Sequence, residues 1–347
     1  MHRAAAALLV LAAASALNVG AGGAHVAAGA EATPRIIAIG DVHGAIDRFA
    51  AILQKAGVID GERHWSGGNA VLVQTGDLSD RGTGMRAAID LLIALEPQAR
   101  AAGGRVHALL GNHEVMNLVG EMRDGTPEIF ATFGGEAAMR VAFSRRGQYG
   151  KWLRSKSVIA EVDGSVFLHG GINPAFAEPS VNDINRRAKR ELTAWDEGVA
   201  WLVQRNMVAE APKFLEAVEA ARAELQNLAA GPLRDHADTR QTAAILAPVA
   251  NIGASSLFSP DGPLWFRGFS TWSDQEGAPQ IEAILKKLRA KRLVSGHTVQ
   301  ATRRITGRFD GRLFLIDTGM LGGRYFPSGR ASALEITASG INQLYVE

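Results

Sequence analysis

Five short apolar runs in this chain share one pattern, because each leads into polar residues of kinds that bind metal ions. Continuous apolar runs of this length are typical of strands buried on both faces, as in sheets covered by helices. The runs and the polar residues after them are 35–40 before Asp41 and His43, 70–76 before Asp77, 106–111 before Asn112 and His113, 165–168 before His169, and 292–296 before His297.

The segments between the first three runs have helical patterns, at 46–56 and at 85–101. The front half therefore predicts a β-α-β-α-β order. Such units place their strands in parallel, with all carboxyl ends at one edge, where open α/β sheets bind their ligands. We expect the five polar groups to converge at this edge, in one sheet or in two sheets packed face to face.

The back half predicts a second, partly antiparallel sheet and a group of helices. Asp163-Gly164 and Asp310-Gly311 lie between apolar alternations and favour hairpin turns. Helical periodicity at 183–202 and 211–228 indicates a helical insertion at about 175–250, near the mouth of the site. The predicted fold class is α/β, with two packed mixed β-sheets flanked by helices.

The N-terminus has the pattern of a secretory signal peptide at 1–30: a basic tip, an apolar run at 4–17 and then small residues. The apolar run is shorter than the roughly 20 residues of a membrane-spanning helix. We therefore expect an exported domain at 31–347, periplasmic or secreted, without stable membrane insertion. A retained membrane anchor is the alternative.

Composition narrows the chemistry. The chain has no cysteine, so disulfides, thiolate ligands and a cysteine nucleophile are excluded. Any metal must be held by His, Asp, Glu or Asn. The formal net charge of +2 is too small to indicate nucleic acid as a partner.

Ligand-type residues follow every one of the five runs. One histidine at a strand end more often packs or caps than binds a metal, but a whole set in the same position favours a metal centre. Their carboxylate, imidazole and carboxamide groups suit Mn, Fe or Zn. Asp41 and His43 can reach a first ion, and Asp77 is placed to bridge it to a second. The second ion then takes Asn112, His169 and His297.

Two such ions would lower the pKa of a bound water, so that hydroxide serves as the nucleophile in a phosphate hydrolysis. The segment 76–82 supplies further parts. Arg81 follows Asp77 closely enough to bind phosphate oxygens. Asp80 could orient His113, which would then protonate the leaving alcohol. An Asp-Arg pair alone is usually a surface ion pair, and only its place in this motif favours function.

The strings GDVHG, GDLSDRG, GNHE, LHGG and SGHT, in this order, resemble the calcineurin-like metallophosphoesterases and their phosphoprotein phosphatase branch. GNHEVMNLVG and GPLWFRG are similar to the Shewanella-like protein phosphatases. The resemblance extends over about 36–319. It implies a β-sandwich flanked by helices, the same two metal positions and the same acid pair. It also adds Arg267 as a second phosphate-binding residue beside Arg81.

One segment departs from the resemblance: LFLIDTG at 313–319 stands where eukaryotic serine/threonine phosphatases have a tyrosine-containing loop. The substrate preference of those enzymes is therefore not carried over. Glu114 is expected outside the metal shell, bracing its loop through a neighbouring basic group.

The expected function is that of a metal-dependent phosphomonoesterase acting on phosphorylated proteins or peptides, at phosphotyrosine or phosphoserine/threonine. A nucleotide or dinucleoside polyphosphate hydrolase with the same metals, acting on a small phosphorylated substrate, is the alternative. A metal-bearing binding protein without catalysis is a more distant one, because His113, Asp80 and both arginines are needed only for turnover.

Overall fold

The computed structural model describes residues 34–346, except 177, 178, 233 and 235. The signal peptide predicted at 1–30 lies outside the described residues. Within them, every helix is too short or too polar to cross a bilayer.

The described residues form two five-stranded mixed sheets. In the first sheet, with the order β10-β9-β1-β2-β3, β1 to β3 are parallel and β9 runs antiparallel to β1. In the second sheet, with the order β4-β5-β6-β8-β7, β5, β6 and β8 are parallel. The strands are β1 (Ile36–Ile39), β2 (Val71–Gln74), β3 (Arg105–Ala108), β4 (Ile159–Val162), β5 (Ser165–Leu168), β6 (Arg292–Ser295), β7 (Thr306–Arg308), β8 (Leu313–Leu315), β9 (Ala331–Thr337) and β10 (Gly340–Val346).

The helices cover the outer faces of the sheets. Helices α1 and α2 connect the first three strands, as the helical patterns predict. The helices are α1 (Ile46–Lys55), α2 (Met85–Ala101), α3 (Asn112–Leu118), α4 (Pro127–Phe133), α5 (Glu136–Phe143), α6 (Gln148–Arg154), α7 (Val181–Gln204), α8 (Phe214–Ala230), α9 (Ala237–Ala250), α10 (Gly268–Thr271) and α11 (Asp274–Leu288).

The alternation of side chains along each strand explains the layers. Ile36 and Ala38 of β1 belong to an apolar cluster shared with Phe167 of β5, between the sheets. Their neighbours Ile37 and Ile39 belong to the cluster that the helices cover. Successive side chains of a strand point to opposite faces, so each sheet buries both of its faces. The result is the predicted α/β fold of two packed sheets flanked by helices.

Both predicted hairpins are present in the second sheet. Asp163 and Gly164 have positive φ of 47° and 72°, as a type I′ turn requires, and join β4 to β5. The connection between β7 and β8 is longer, at 309–312, and begins with Phe309 in the left-handed region at φ 52°.

Helices α7, α8 and α9 occupy most of the segment predicted as an insertion. The third of them, α9, was not anticipated as a separate helix. The side chain of Asn185 attaches α7 to β4: its Oδ1 accepts the N–H of Val158 at 3.0 Å and its Nδ2 donates to the carbonyl of Ile159 at 2.9 Å.

Candidate active site

The predicted ligands lie just after β1, β2, β3, β5 and β6, on loops and, for Asn112, at the start of α3, at one edge of the two packed sheets. Three of these ligands and two residues that follow Asp77 have left-handed backbones, which are rare for residues with a side chain. They are His43 (φ 46°), Asp77 (φ 57°), Asp80 (φ 66°), Arg81 (φ 67°) and His297 (φ 67°). Such conformations cost on the order of 1–3 kcal/mol each and persist only where the surroundings fix them.

Backbone hydrogen bonds between the loop after β1 and the loop after β2 help to hold these conformations. The N–H groups of Val42 and His43 both donate to the carbonyl of Asp77, each at 2.9 Å. Gly44 lies so close to the next loop that a β-carbon there would be 2.3 Å from the carbonyl oxygen of Gly82. Glycine is therefore required at 44.

Glu114 ties the loop after β2 to the loop after β3. Its carboxylate is fully buried and accepts the N–H groups of Asp77 at 2.7 Å, Ser79 at 2.9 Å and Gly111 at 2.8 Å. The expected basic partner was wrong: these backbone donors take its place. Burial raises the pKa of Glu114, with the nearby charge of Asp77 adding to the effect.

The first cluster of ligand atoms joins Asp41, His43 and Asp77. His43 donates from Nδ1 to the carbonyl of Ser79 at 2.9 Å, so the lone pair of its Nε2 faces the site. This Nε2 lies 3.5 Å from Asp77 Oδ2 and 3.8 Å from Asp41 Oδ2. The same region includes His113, whose ring can complete a three-residue ligand group with His43 and Asp77.

The second cluster shares Asp77 with the first. His169 donates from Nδ1 to the carbonyl of Thr75 at 3.1 Å, which turns its Nε2 lone pair toward Asn112 Oδ1 at 2.9 Å and Asp77 Oδ1 at 3.3 Å. His297 Nδ1 lies 3.0 Å from the same Nε2. Its other nitrogen, Nε2, is buried and has no hydrogen-bond partner among the described residues.

These arrangements fit two cations. At each cluster, nitrogen and oxygen atoms with free electron pairs face one another and repel. A cation bound between them would turn this repulsion into attraction. Burial lowers the pKa of His43 well below its usual value, and burial, His169 and Arg267 lower that of His297 to about 2, so both rings are neutral, as ligands must be. Burial opposes the charge on Asp77, but His169 and His113 hold its pKa well below the usual range.

His113 and Asp80 form a hydrogen-bonded pair beside these clusters. His113 Nδ1 lies 2.8 Å from Asp80 Oδ2, and Asn117 Nδ2 donates to Asp80 Oδ1 at 3.1 Å. Burial disfavours a charged imidazole, yet Asp77 and Asp80 outweigh it and raise the pKa of His113 to about 9. Because Asp80 holds Nδ1, Nε2 is the nitrogen left facing the site.

Three arginines line the cleft above the clusters, which measures about 110 Å³: Arg81, Arg123 and Arg267. Arg123 has the carboxylate of Asp124 beside it at 3.9 Å. Arg81 places its guanidinium 2.6 Å from His43 Nε2 and 3.0 Å from His113 Nε2, over the ring of Phe326. Arg267 donates from Nη1 to the carbonyl of His297 at 3.1 Å and to Thr298 Oγ1 at 2.9 Å.

The structure thus brings every predicted site residue to one sheet edge, and their individual roles stay predictions. Asp317 was missed: it is fully buried, accepts the N–H of Gly319 at 2.9 Å and interacts with Asp41. Burial raises its pKa to about 6. Its signal was available, since Asp317 follows the apolar run 313–316 as the other polar groups follow theirs. No comparable signal pointed to Phe326 or Asn117.

The sheet order and the shared carboxylate between two ligand clusters define a metal-dependent phosphoesterase. The family model described as calcineurin-like phosphoesterase matches residues 34–301, and the chain belongs to this family. The family, the fold and the hydrolysis of phosphate esters expected from the five motifs are confirmed.

Two relatives and one solved structure show which proteins this chain is similar to. An uncharacterised protein of Schizosaccharomyces pombe is 30% identical over 294 residues, covering 82% of this chain and 73% of that protein. Shewanella-like protein phosphatase 1 of Plasmodium berghei is 29% identical over 292 residues, covering 82% of this chain and 67% of the relative. A cold-active protein-tyrosine phosphatase structure from a psychrophilic Shewanella has a TM-score of 0.57 and 25% identity, covering 90% of this chain and 80% of that one.

Proposed function

We propose that this chain is a phosphomonoesterase that removes phosphate from phosphorylated proteins or peptides. The observation that carries the proposal is the position of Asp77, whose two carboxylate oxygens face the two ligand clusters beside His113. The relatives named as protein phosphatases support a protein substrate. The small cleft supports it too, because it has room for a phosphate group while the rest of the substrate stays outside.

The candidate ligands are Asp41, His43 and Asp77 for one cation and Asp77, Asn112, His169 and His297 for the other. Their nitrogen and oxygen donors suit Mn, Fe or Zn. Bound there, the two cations would supply Lewis acidity and an activated water for attack on phosphorus.

The chain's own residues supply the remaining functions. Arg81 and Arg267 bind the phosphate oxygens from two sides of the cleft and offset the charge that develops on them. Asp80 holds the Nδ1 side of His113, so that Nε2 delivers a proton to the leaving oxygen. This division of roles needs neither a serine nor a cysteine nucleophile.

Hydrolysis of an aryl phosphate tests the chemistry. The metal-stripped protein is assayed alone and after separate addition of Mn, Zn, Fe or Mg. Turnover that requires metal, disappears in Asp77→Asn and persists in the exposed control Asp47→Asn supports the proposal. An absence of turnover with every metal would contradict it and favour a metal-bearing binding protein.

A substrate panel tests the second half of the proposal. We expect a higher kcat/KM for phosphotyrosine or phosphoserine peptides than for diadenosine tetraphosphate under the metal that works best. A clear preference for the dinucleotide would reject the protein phosphatase and retain the phosphoesterase.

The pattern at 1–30 supports export as part of the same proposal, to the periplasm or beyond the cell. A fusion of residues 1–30 to a reporter that folds only outside the cytoplasm should be active, and removal of Arg3 with the apolar run should abolish its activity. An inactive fusion beside an active control leader would contradict export.

A further inference from the structure

A cavity of about 460 Å³ lies on the far side of α3 from the metal ligands. Its walls come from the C-terminal end of α3, from helices α5 to α7 and from the segment 204–212. None of the residues assigned to catalysis or metal binding lines it. A volume of this size is within the range of about 300–1,000 Å³ typical of small-molecule sites.

One wall of the cavity is apolar and belongs to the helical insertion. Trp195, Val199 and Val203 of α7 line it, and Ala200 lies among them. Trp195 is 2% exposed and stacks on Phe214 of α8, with ring centroids 5.7 Å apart. Trp195 is thus fixed behind the wall, and the half-buried Val199, Ala200 and Val203 offer the surface suited to an apolar group.

The charged residues around the cavity are mostly paired with one another or with a neighbour. Four arginines and two acidic residues line the cavity. Arg154 is paired with Asp196 at 2.8 Å, Arg146 with Glu210 at 3.1 Å, and Arg140 with Glu136 outside the lining. Arg145 is exposed and has no ion-pair partner among the described residues. An uncompensated guanidinium beside an apolar wall suits a ligand with an acidic head and an apolar body.

We propose that this cavity binds a small amphipathic organic anion, with its acidic group at Arg145 and its apolar body against α7. The site is separate from the phosphate cleft, and the insertion supplies half of it.

Helix α3 connects the cavity to the catalytic pair. This helix of seven residues begins with Asn112 and His113 and ends at the cavity. At the cavity end, Asn117 donates to Asp80 Oδ1 at 3.1 Å, and Arg154 donates to the carbonyl of Leu118 at 3.0 Å. A ligand in the cavity would contact Asn117 and Arg154, and a small shift of either would change how Asp80 holds His113. Occupancy of the cavity therefore modulates turnover.

Binding of 8-anilino-1-naphthalenesulfonate to the metal-loaded protein tests the site, because this probe combines a sulfonate with an apolar body and fluoresces when bound. Ala200→Phe fills the cavity, and Arg145→Ala removes the free cation. We expect Ala200→Phe to weaken binding at least about tenfold and Arg145→Ala to weaken it severalfold. The control Leu215→Ala changes an apolar residue that is 62% exposed elsewhere, and should leave the affinity unchanged.

Equal affinity in all four proteins would overturn the proposal, as would loss of binding in the Leu215→Ala control alone. Thermal unfolding of each variant establishes that it is folded before binding is compared. The fluorescence measurement needs no turnover, so its outcome is independent of the proposed substrate.

Coupling is tested by the hydrolysis of an aryl phosphate with and without the probe. We expect a change in kcat at unchanged KM, and its disappearance in Ala200→Phe. Purely competitive inhibition that persists in Ala200→Phe would place the probe in the phosphate cleft and overturn the coupling.

Discussion

The Nδ1 atom of His113 lies 2.8 Å from the Oδ2 atom of Asp80, and both side chains are buried. The ring is thereby fixed with Nε2 toward the cleft, where a leaving oxygen would stand. Asp80 itself has no direct contact with that position and acts by holding His113.

Replacement of Asp80 by asparagine should lower kcat by about 10²- to 10⁴-fold, because proton delivery from a positioned group contributes that much. The loss should be larger for an alkyl phosphate than for 4-nitrophenyl phosphate, since the poorer leaving group depends more on a proton. Steady-state kinetics with both substrates check this. An equal loss on both would mean that Asp80 affects the site in some other way.

Replacement of Arg267 by alanine should weaken inhibition by inorganic phosphate and lower kcat/KM for aryl phosphates by about 10²-fold or more. Arg267 is the guanidinium held by the carbonyl of His297 and the hydroxyl of Thr298, so it is directed before substrate arrives. Arg267→Lys should restore only part of the loss, because an ammonium group lacks the planar pair of donors with which a guanidinium binds two phosphate oxygens. Unchanged phosphate inhibition in Arg267→Ala would contradict this role.

Glu114 should be required for stability as well as for the site. Glu114→Gln leaves one of three buried N–H groups facing an amide NH₂, at a cost of about 1–3 kcal/mol, and Glu114→Ala leaves all three without a partner at a larger cost. Urea unfolding measures both, with the exposed Glu219→Gln as the control. A Glu114→Ala variant as stable as Glu114→Gln would show that the three contacts do not act as described.

His107 on β3 should make stability depend on pH. Burial, with Arg105 nearby, lowers the pKa of His107 below its usual value of 6.5. The unfolded chain therefore takes up this proton first, and the contribution to stability is present above pH 6.5 and lost as pH falls toward the lower, folded pKa. The free energy of unfolding of His107→Gln should fall less than that of the parent between pH 7.5 and pH 5.5. Equal decreases in the free energy of unfolding of the two proteins would contradict the prediction. Both proteins keep all the predicted metal ligands, so those groups contribute equally to the two curves.

The sequence predicted most of the fold, and which polar residues meet at one sheet edge, because both depend on local patterns. An apolar run of four residues ending in Asp or His is visible in the chain, and parallel strands bring such ends to one edge. Contacts between a side chain and distant backbone groups leave no such pattern. Glu114 illustrates this, because its partners at 77 and 79 are more than thirty residues away and backbone N–H groups have no residue-type signature.

The helical insertion is a second case in which contacts between distant segments could not be predicted from the sequence. Helical periodicity identified α7 and most of α8, but only the packed structure shows that α7 and α3 enclose a cavity with Arg145 at its edge. Asp317 is a different case. It follows the apolar run 313–316, so the pattern that identifies the other polar groups at the sheet edge also identifies this one.

The left-handed backbones at His43, Asp77, Asp80, Arg81 and His297 limit which sequence changes the protein can accumulate. Each loop keeps its shape through hydrogen bonds to its neighbours, so a change in one loop must suit the others at once. Exposed positions of α8, such as Leu215 and Glu219, lie in regular helix and do not carry this constraint. During evolution, substitutions in the loops of the catalytic edge would therefore have to occur together. Exposed positions of the insertion helices can change one at a time, so we expect sequence variation to appear there first.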